Sequence, residues 1–387
     1  MQSTAERMRA EIAEGLEAGP RGACSEGERA LGRLLEERWG AFAGEARAEA
    51  FRCQPHAFLG FIPFVSLLTL AALALLPRWP AASASLAAVS LLVTVFELLL
   101  YRELVDPLFP TRTGHNIVAR IAPAGEIERR VVLSAHQDAA YEFNLWYWFK
   151  GAGVGVNVLG LGAAPLHAGV VGGLAWAGLL EAGTLSTLAW VGALLAPFAA
   201  LHLLFHTFRV VPGAMDDLAG LAAITAAARE LSREGLEHTE LLLLGCSAEE
   251  CGLRGAKRYV AAHREELLAT PTLNLNVDGV YDERFLTVIT RELTTGVRHS
   301  PALIELAQES ARTLGQPMRP GIIPFGATDA SAFGQAGVET VSLLCQDIGR
   351  LAPNYHTRLD TLERVRPEAL TVMRDLLIEM VRRLDRP

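Results

Sequence analysis

Charged side chains are scarce in this chain of 387 residues. They make up 20% of the sequence, against 51% apolar residues, and the mean hydropathy is +0.25. Soluble globular domains usually carry about 25% charged residues. The scarcity excludes an ordinary soluble protein and predicts that part of the chain lies in a lipid bilayer.

Three further features are missing. No cluster of Lys or Arg stands out and the net charge is −8, which excludes a nucleic acid as a partner. The five cysteines lack the spacing of a disulfide framework, so we expect reduced thiols. A disulfide between Cys246 and Cys251 is an alternative. The first 52 residues contain no early apolar run, so no cleavable signal peptide is expected.

Two long regions have almost no formal charge. The first consists of residues 57–77 and 79–101 around Arg78, with Glu97 near its end, and in the second, 151–208, the only charge is Glu181. About twenty apolar helical residues cross roughly 30 Å of hydrocarbon. The sequence therefore predicts two transmembrane hairpins, at 57–101 and 151–208. They would interrupt one domain formed by residues 1–56, 102–150 and 209–387. The spans carry few polar residues, which favours an anchor over a transport path.

The charges that flank the hairpins predict their orientation. Arg52, Arg102, Lys150 and Arg209 lie at the span ends that face the large domain, and Arg78 alone lies in the short connections. Each hairpin crosses twice, so all the non-membrane pieces share one side. The positive-inside rule then predicts a multi-pass protein of a bacterial-type cell membrane with a cytoplasmic domain.

Outside the hairpins, buried strands alternate with amphipathic helices. Arg130–Asp138 and Leu241–Gly245 have the continuous apolar character of strands that are covered on both faces. Such alternation predicts an α/β fold with a mostly parallel central sheet flanked by helices.

Two adjacent acids, Glu249 and Glu250, lie four and five residues after the end of the strand at Leu241–Gly245. Open α/β sheets place their sites at the carboxyl ends of strands, and neighbouring carboxylates repel each other unless a cation holds one of them. A solvated acidic turn is the alternative. More acids or histidines occur at strand ends or in the loops that follow, and imidazole and carboxylate groups are zinc ligands. These residues are His136, Asp216, Asp278 and His356.

The order of these residues resembles the M28 family of zinc-dependent peptidases, which contains bacterial aminopeptidases and glutaminyl cyclases. The matching segments are Ser134–Asp138, Pro212–Gly220, Ala248–Gly255, Asn276–Asp278 and Tyr355–Thr361. The resemblance implies two zinc ions per chain, one held by His136, Asp216 and Asp278. The second would be held by Asp216, Glu250 and His356, so that Asp216 is the bridge.

The same resemblance assigns the catalytic residues. It implies that Glu249 takes a proton from the attacking water and passes it to the leaving amine. Asp138 would fix the tautomer of His136. Asp217, next to the bridging Asp216, is expected to be a charge at the start of a helix.

The resemblance leaves the reaction and the substrate open. An aminopeptidase is the leading hypothesis, and a glutaminyl cyclase or a non-catalytic scaffold are alternatives. Family members often have Ser-Asp-His before a Phe in the pocket, whereas this chain has Thr328-Asp329-Ala330 and Phe333. The second hairpin lies between His136 and Asp216, which would keep the site within roughly 40 Å of the bilayer at about 3.5 Å per residue. The expected substrates are therefore membrane-protein termini, lipopeptides or short hydrophobic peptides.

Overall fold

A computed structural model describes residues 3–349 and 354–386. The chain divides into two compact units. Unit 1 comprises Met1–Pro55, Thr111–Tyr141 and Val210–Pro387, and unit 2 comprises His56–Pro110 and Glu142–Arg209. Both apolar regions of the sequence fall within unit 2.

Ten strands and thirteen α-helices occur in the described part of the chain. The strands are β1 (Glu45–Cys53), β2 (Arg112–Ile121), β3 (Arg129–His136), β4 (Tyr141–Phe143), β5 (His206–Val210), β6 (Thr239–Cys246), β7 (Thr272–Val280), β8 (Leu286–Glu292), β9 (Arg319–Ile323) and β10 (Glu339–Cys345). The helices are α1 (Thr4–Glu17), α2 (Glu26–Gly40), α3 (Ala57–Leu75), α4 (Pro80–Thr94), α5 (Asn144–Phe149), α6 (Ala152–Asn157), α7 (Ala164–Trp176), α8 (Ala182–Leu201), α9 (Ala219–Glu234), α10 (Arg254–Ala269), α11 (Pro301–Thr313), α12 (Ala330–Gln335) and α13 (Pro367–Asp385).

Unit 1 is built on an eight-stranded sheet with the order β1-β2-β6-β3-β7-β10-β8-β9. Its four central strands, β6, β3, β7 and β10, run parallel, and β1 and β2 pair antiparallel at one edge. Every residue of β6 is buried, as is nearly all of β3, because helices cover both faces of a parallel sheet. The α/β fold class predicted from the sequence is confirmed.

Helices pack on both faces of this sheet. One face carries α1, α2, α9, α11 and α13, whose apolar side chains form a single core with alternate residues of the central strands. The other face carries α10 and α12, which cover Val132, Leu242 and Leu244. Burial of alternate strand residues on each face fixes the strand register, because a shift of one residue would exchange the two faces.

Polar caps fix where the N-terminal helices begin. The Ser3 hydroxyl accepts a hydrogen bond from the Glu6 amide, and the Glu6 carboxylate accepts one from the Ser3 amide. The Ser25 hydroxyl caps α2 by accepting from the amide of Glu28.

Unit 2 contains four helices that are long and apolar enough to cross a membrane: Ala57–Leu75, Pro80–Leu99, Ala152–Trp176 and Ala182–Leu204. Several of their buried polar side chains pair within the unit. The Thr69 and Ser90 hydroxyls lie 2.9 Å apart, and His202 Nε2 lies 2.8 Å from Asn157 Oδ1.

In the sequence, Glu97 could mark a polar site within the membrane, although its place near the end of the span favours contact with the headgroups or Arg102. In the structure its carboxylate is 1% exposed and accepts a hydrogen bond from the amide of Val105 at 2.7 Å. The chain folds back after α4 and brings a backbone donor to the buried carboxylate, which lowers the cost of burying it.

Candidate metal centre

Three neighbouring parallel strands supply four of the predicted site residues. His136 is the last residue of β3, Glu249 and Glu250 follow β6, and Asp278 lies near the end of β7. The strands lie side by side in the order β6-β3-β7 and run in the same direction, so their carboxyl ends meet at one edge of the sheet.

Loops bring the other two ligand candidates to the same edge. Asp216 lies in the irregular segment Ala214–Leu218 just before α9, and His356 lies in a turn before α13. His356 has a left-handed backbone with φ of 49°, an uncommon conformation for a non-glycine residue that is often found at functional sites.

Asp216 lies between two histidines. Its Oδ1 is 2.9 Å from Nε2 of His136, and its Oδ2 is 3.2 Å from Nε2 of His356. The same His356 nitrogen lies 3.2 Å from Oε2 of Glu250. Each carboxylate oxygen of Asp216 therefore faces a different ligand group, as a bridging carboxylate requires.

The side chains form overlapping groups that can each hold a cation. Ligand atoms within 4.8 Å of one another occur in the two predicted sets, which share Asp216, and in a third set that includes Glu249. These sets are His136, Asp216 and Asp278; Asp216, Glu250 and His356; and His136, Glu249 and Glu250. The structure thus brings together all five predicted ligands and the predicted base.

Asp138 supports this cluster in two ways. Nδ1 of His136 lies 3.1 Å from the backbone carbonyl oxygen of Asp138 and 3.7 Å from its carboxylate, so the carbonyl is the closer partner. The Asp138 carboxylate accepts hydrogen bonds from the amides of Glu249 at 2.9 Å and Glu250 at 3.0 Å. Asp138 therefore links the end of β3 to the acidic pair after β6.

Two buried charges from the N-terminal segment, which the sequence did not single out, also position the centre. Arg21 is 1% exposed and donates to the carbonyls of Gln137 and Gly213, which precede Asp138 and Asp216 by one and three residues. Glu28 is 4% exposed and accepts from the amide of Ala248 at 2.9 Å. Ala248 has φ of 58°, so this bond holds an unusual backbone conformation next to Glu249.

Two further aspartates hold the backbone around Asp216. The Asp360 carboxylate accepts from the amides of Met215 and Asp216. Asp217 lies at the start of α9, as expected, and accepts from the amide of Gly220 at 3.1 Å. It is fully buried, however, and also accepts from the His136 amide, so it ties α9 to the end of β3.

Phe333 and Asp329, which belong to the segment that replaces the pocket residues of family members, are both buried. Phe333 is fully buried in the core beside Tyr259, not in a pocket. Asp329 is 1% exposed, and burial raises its pKa to about 7. Its charge acts on Glu249 and Asp278, which places it within the electrostatic range of the centre.

The electrostatics of the cluster fit divalent cations. Burial raises the pKa of Glu249 and of Asp278 well above the usual range, and it also raises the pKa of Glu250. The neighbouring carboxylates add to each shift. Oε1 of Glu250 is buried and has no hydrogen-bond partner. Positive charge is what such a group of buried acids needs, and histidine with carboxylate is a donor set that zinc prefers.

We expect zinc affinity to rise with pH. Burial would lower the pKa of His356, but Glu250 and Asp216 raise it to about 10, so the metal-free site holds protons at neutral pH. Contacts with His136 and His356 lower the pKa of Asp216 despite its burial, so Asp216 is already ionised. Zinc must displace the protons on the other ligands. Titration calorimetry in buffers of different ionisation enthalpy should show proton release, and an affinity independent of pH from 5 to 8 would contradict this prediction.

Comparison with known proteins finds similar sequences and structures. The sequence model of peptidase family M28 matches residues 202–381, which include the predicted ligands from Asp216 to His356. Over these residues the chain is similar to peptidase family M28, as the order of its acids and histidines indicated. It is also similar to aminopeptidase YwaD of Bacillus subtilis (strain 168), with 26% identity over 174 residues, 44% of this chain. The match spans 37% of that relative's length.

Solved structures share the fold of this chain. A zinc aminopeptidase from Bacillus subtilis superimposes with a TM-score of 0.60 at 15% identity, covering 98% of this chain and 95% of the other. An aminopeptidase from Aneurinibacillus sp. strain AM-1 gives 0.59 at 14% identity, covering 97% and 93%. The similarity confirms the fold.

Proposed function

We propose that this chain is a di-zinc metallopeptidase that removes residues from the amino terminus of peptides. The observation that carries the proposal is the position of Asp216, whose two oxygens face His136 on one side and His356 on the other. The match to the model of family M28 and the names of the similar proteins, which are aminopeptidases, support the reaction class.

Three of the five predicted ligands would hold each zinc ion. His136, Asp216 and Asp278 would form one site, and Asp216, Glu250 and His356 the other. Bound zinc would supply a water of lowered pKa and a Lewis acid for the scissile carbonyl.

Glu249 is the residue available to move the proton. Asp138 holds its backbone amide at 2.9 Å, and the side chain lies close enough to His136 and Glu250 to share a group with them. Because burial raises the pKa of the Glu249 carboxyl, it holds a proton more readily than an exposed glutamate does. A carboxylate with such a pKa can take a proton from water and return it to a leaving amine.

The experiment that tests the function combines metal analysis with a panel of substrates. We expect purified protein to contain close to two zinc ions per chain and to hydrolyse peptides with a free amino terminus. Matched peptides with an acetylated amino terminus should remain intact. Cleavage of both sets at equal rates would contradict an aminopeptidase. Release of ammonia from an amino-terminal Gln peptide without hydrolysis would favour the cyclase, and no turnover by the zinc-loaded protein would favour the scaffold.

We also propose that unit 2 anchors the enzyme in a membrane, with unit 1 in the cytoplasm. Four helices of sufficient length and hydropathy support the anchor, and the flanking arginines and lysine support the orientation. Proteolysis of sealed inside-out and right-side-out vesicles tests both points. Unit 1 should be cleaved only in inside-out vesicles, and cleavage only in right-side-out vesicles would reverse the orientation.

The substrate class follows from the position of the second insertion between His136 and Asp216. We expect peptides that partition into lipid to be hydrolysed with a several-fold higher kcat/KM in proteoliposomes than in detergent-free buffer. A soluble peptide with the same terminal residue is the control and should show little change. Equal effects on both peptides would contradict a preference for membrane-presented substrates.

A further inference from the structure

Three of the five cysteines meet beside the acidic pair. Cys24 lies in the loop before α2, Cys53 ends β1, and Cys251 directly follows Glu250. The Sγ atoms of Cys24 and Cys53 are 3.5 Å apart, and the Cys53 thiol also contacts that of Cys251. All five cysteines are free thiols, as expected from the sequence. The proximity of Cys24 and Cys53 was not visible in their spacing.

A cavity lies next to one member of this pair. It has a volume of about 400 Å³, and its lining includes Cys24, Arg29, Thr113 and His115. Cys24 is partly exposed, whereas Cys53 is fully buried 3.5 Å from it. A molecule little larger than water, such as hydrogen peroxide, can enter this cavity and reach Cys24, so that a small movement of the Cys24 side chain exposes the Cys53 sulfur.

The surroundings of Cys53 favour its reactive form. Side-chain hydrogen bonding with the thiols of Cys24 and Cys251 lowers the pKa of Cys53 to about 4, although burial opposes the shift. Arg254 and Arg258 add positive charge that stabilises the thiolate. The thiolate is the form of cysteine that attacks an oxidant.

Hydrogen bonds connect the pair to the catalytic segment Ser247–Glu250. The Glu28 carboxylate accepts from the Cys24 amide at 2.7 Å through one oxygen and from the Ala248 amide at 2.9 Å through the other. The Cys251 thiol donates to the Ala248 carbonyl at 3.3 Å. The contacts of Cys24, through Glu28, and of Cys251 therefore both reach the backbone of Ala248, the residue before the predicted base.

We propose that Cys24 and Cys53 are a redox-active pair whose disulfide loosens the segment Ser247–Glu250 and lowers peptidase activity. The activity part of this inference depends on the proposed function, whereas the modification site does not. A disulfide requires an S–S distance of about 2.05 Å, so the sulfur atoms must approach from 3.5 Å. This movement draws Cys53 away from Cys251. It also shifts the Cys24 amide relative to the Glu28 carboxylate that accepts its hydrogen bond.

The oxidation balances with hydrogen peroxide as the oxidant. The Cys53 thiolate attacks one peroxide oxygen, the O–O bond breaks, and the hydroxide that leaves takes up a proton to become water. Cys24 then attacks the sulfur of the resulting sulfenic acid, the S–S bond forms, the S–O bond breaks, and the second water leaves with the Cys24 proton. Two thiols lose two electrons and one peroxide is reduced to two waters.

The test treats the zinc-loaded full-length protein with hydrogen peroxide. Peptide mapping by mass spectrometry should find Cys24 joined to Cys53, and thiol titration should fall from five groups by two. Hydrogen exchange over residues 247–250 should become faster, and turnover should drop at least several-fold. A phosphine reductant should restore both the original exchange rate and the original turnover. The Cys24→Ser variant should resist all these changes. The Cys345→Ala variant, which replaces a cysteine in β10, should respond like the wild type.

The outcomes separate the two proposals. Absence of the Cys24–Cys53 bond, or a bond from Cys53 to Cys251 instead, overturns the inference whatever the protein catalyses. Formation of the bond with unchanged exchange and turnover also overturns it. If the bond forms and exchange accelerates in a protein that hydrolyses no peptide before oxidation, the redox pair is supported and the proposed peptidase function fails.

Discussion

Replacing Glu249 with Gln is expected to lower kcat by about 10²- to 10⁴-fold, the range that general acid–base catalysis contributes. Gln has the size of Glu but cannot accept a proton from water at neutral pH. The predicted ligands of both zinc sites remain in the variant, and the hydrogen bond from the Glu249 amide to Asp138 uses the backbone. Steady-state kinetics on an amino-terminal peptide substrate, with zinc measured on the same sample, checks the prediction.

Zinc content decides between two roles for Glu249. As a base, it can be replaced without loss of metal, so the Glu249→Gln variant should contain as much zinc as the wild type. The third possible cation group contains His136, Glu249 and Glu250. If an ion occupies that group, the variant should lose zinc together with activity. Full activity in the variant would remove Glu249 from the mechanism, and Glu250→Gln is the control expected to lose metal.

The sequence could predict that these side chains lie together because strand topology determines where strand ends meet. His136, Glu249 and Asp278 each lie at or just beyond the end of an apolar strand. Parallel neighbours bring such ends together whatever the details of packing. Asp216 and His356 lie in loops, so the sequence pattern named them only as an acid and a histidine that follow strands. The resemblance to a family assigned them to the ligand sets, because loop paths are not encoded in a hydrophobic pattern.

Residues that support the ligands could not be predicted in this way. Glu28 occupies an amphipathic helix in which a charged side chain normally faces solvent, and its partner Ala248 lies 220 residues later. Arg21 lies in a Gly-Pro-Arg-Gly turn, yet it reaches carbonyls 116 and 192 residues away. Their roles depend on tertiary contacts, and composition gives no signal for a charge that is buried rather than exposed.

Arg21 and Asp360 show how buried charges can hold a site without joining it. Burial lowers the pKa of Arg21 to about 10, and Asp360 and Asp138 oppose that shift. Burial raises the pKa of Asp360 to about 7, with Asp216 adding to the effect. Opposite charges thus surround the backbone from Pro212 to Asp216 and fix its amides and carbonyls. The ligand oxygens of Asp216 remain directed at the histidines.

The second large effect is expected from Asp216→Ala, which should remove both zinc ions rather than one. Asp216 is the only residue common to the two predicted ligand sets, so its loss leaves His136 with Asp278 and His356 with Glu250. Zinc at 100 times its Kd stabilises a protein by about 2.7 kcal/mol per site. We therefore expect added zinc to raise the melting temperature of the wild type but not of this variant.

Single-site variants provide the matched controls for this prediction. Asp278→Ala and Glu250→Ala each remove a ligand from one predicted set and leave the other intact, so each should retain close to one zinc ion per chain. Metal analysis after dialysis against a weak chelator measures all three variants together with the wild type. One tightly bound zinc ion in Asp216→Ala would show that the two sites do not share this carboxylate. The bridging arrangement would then be wrong, because a shared ligand cannot be removed from one site without weakening the other.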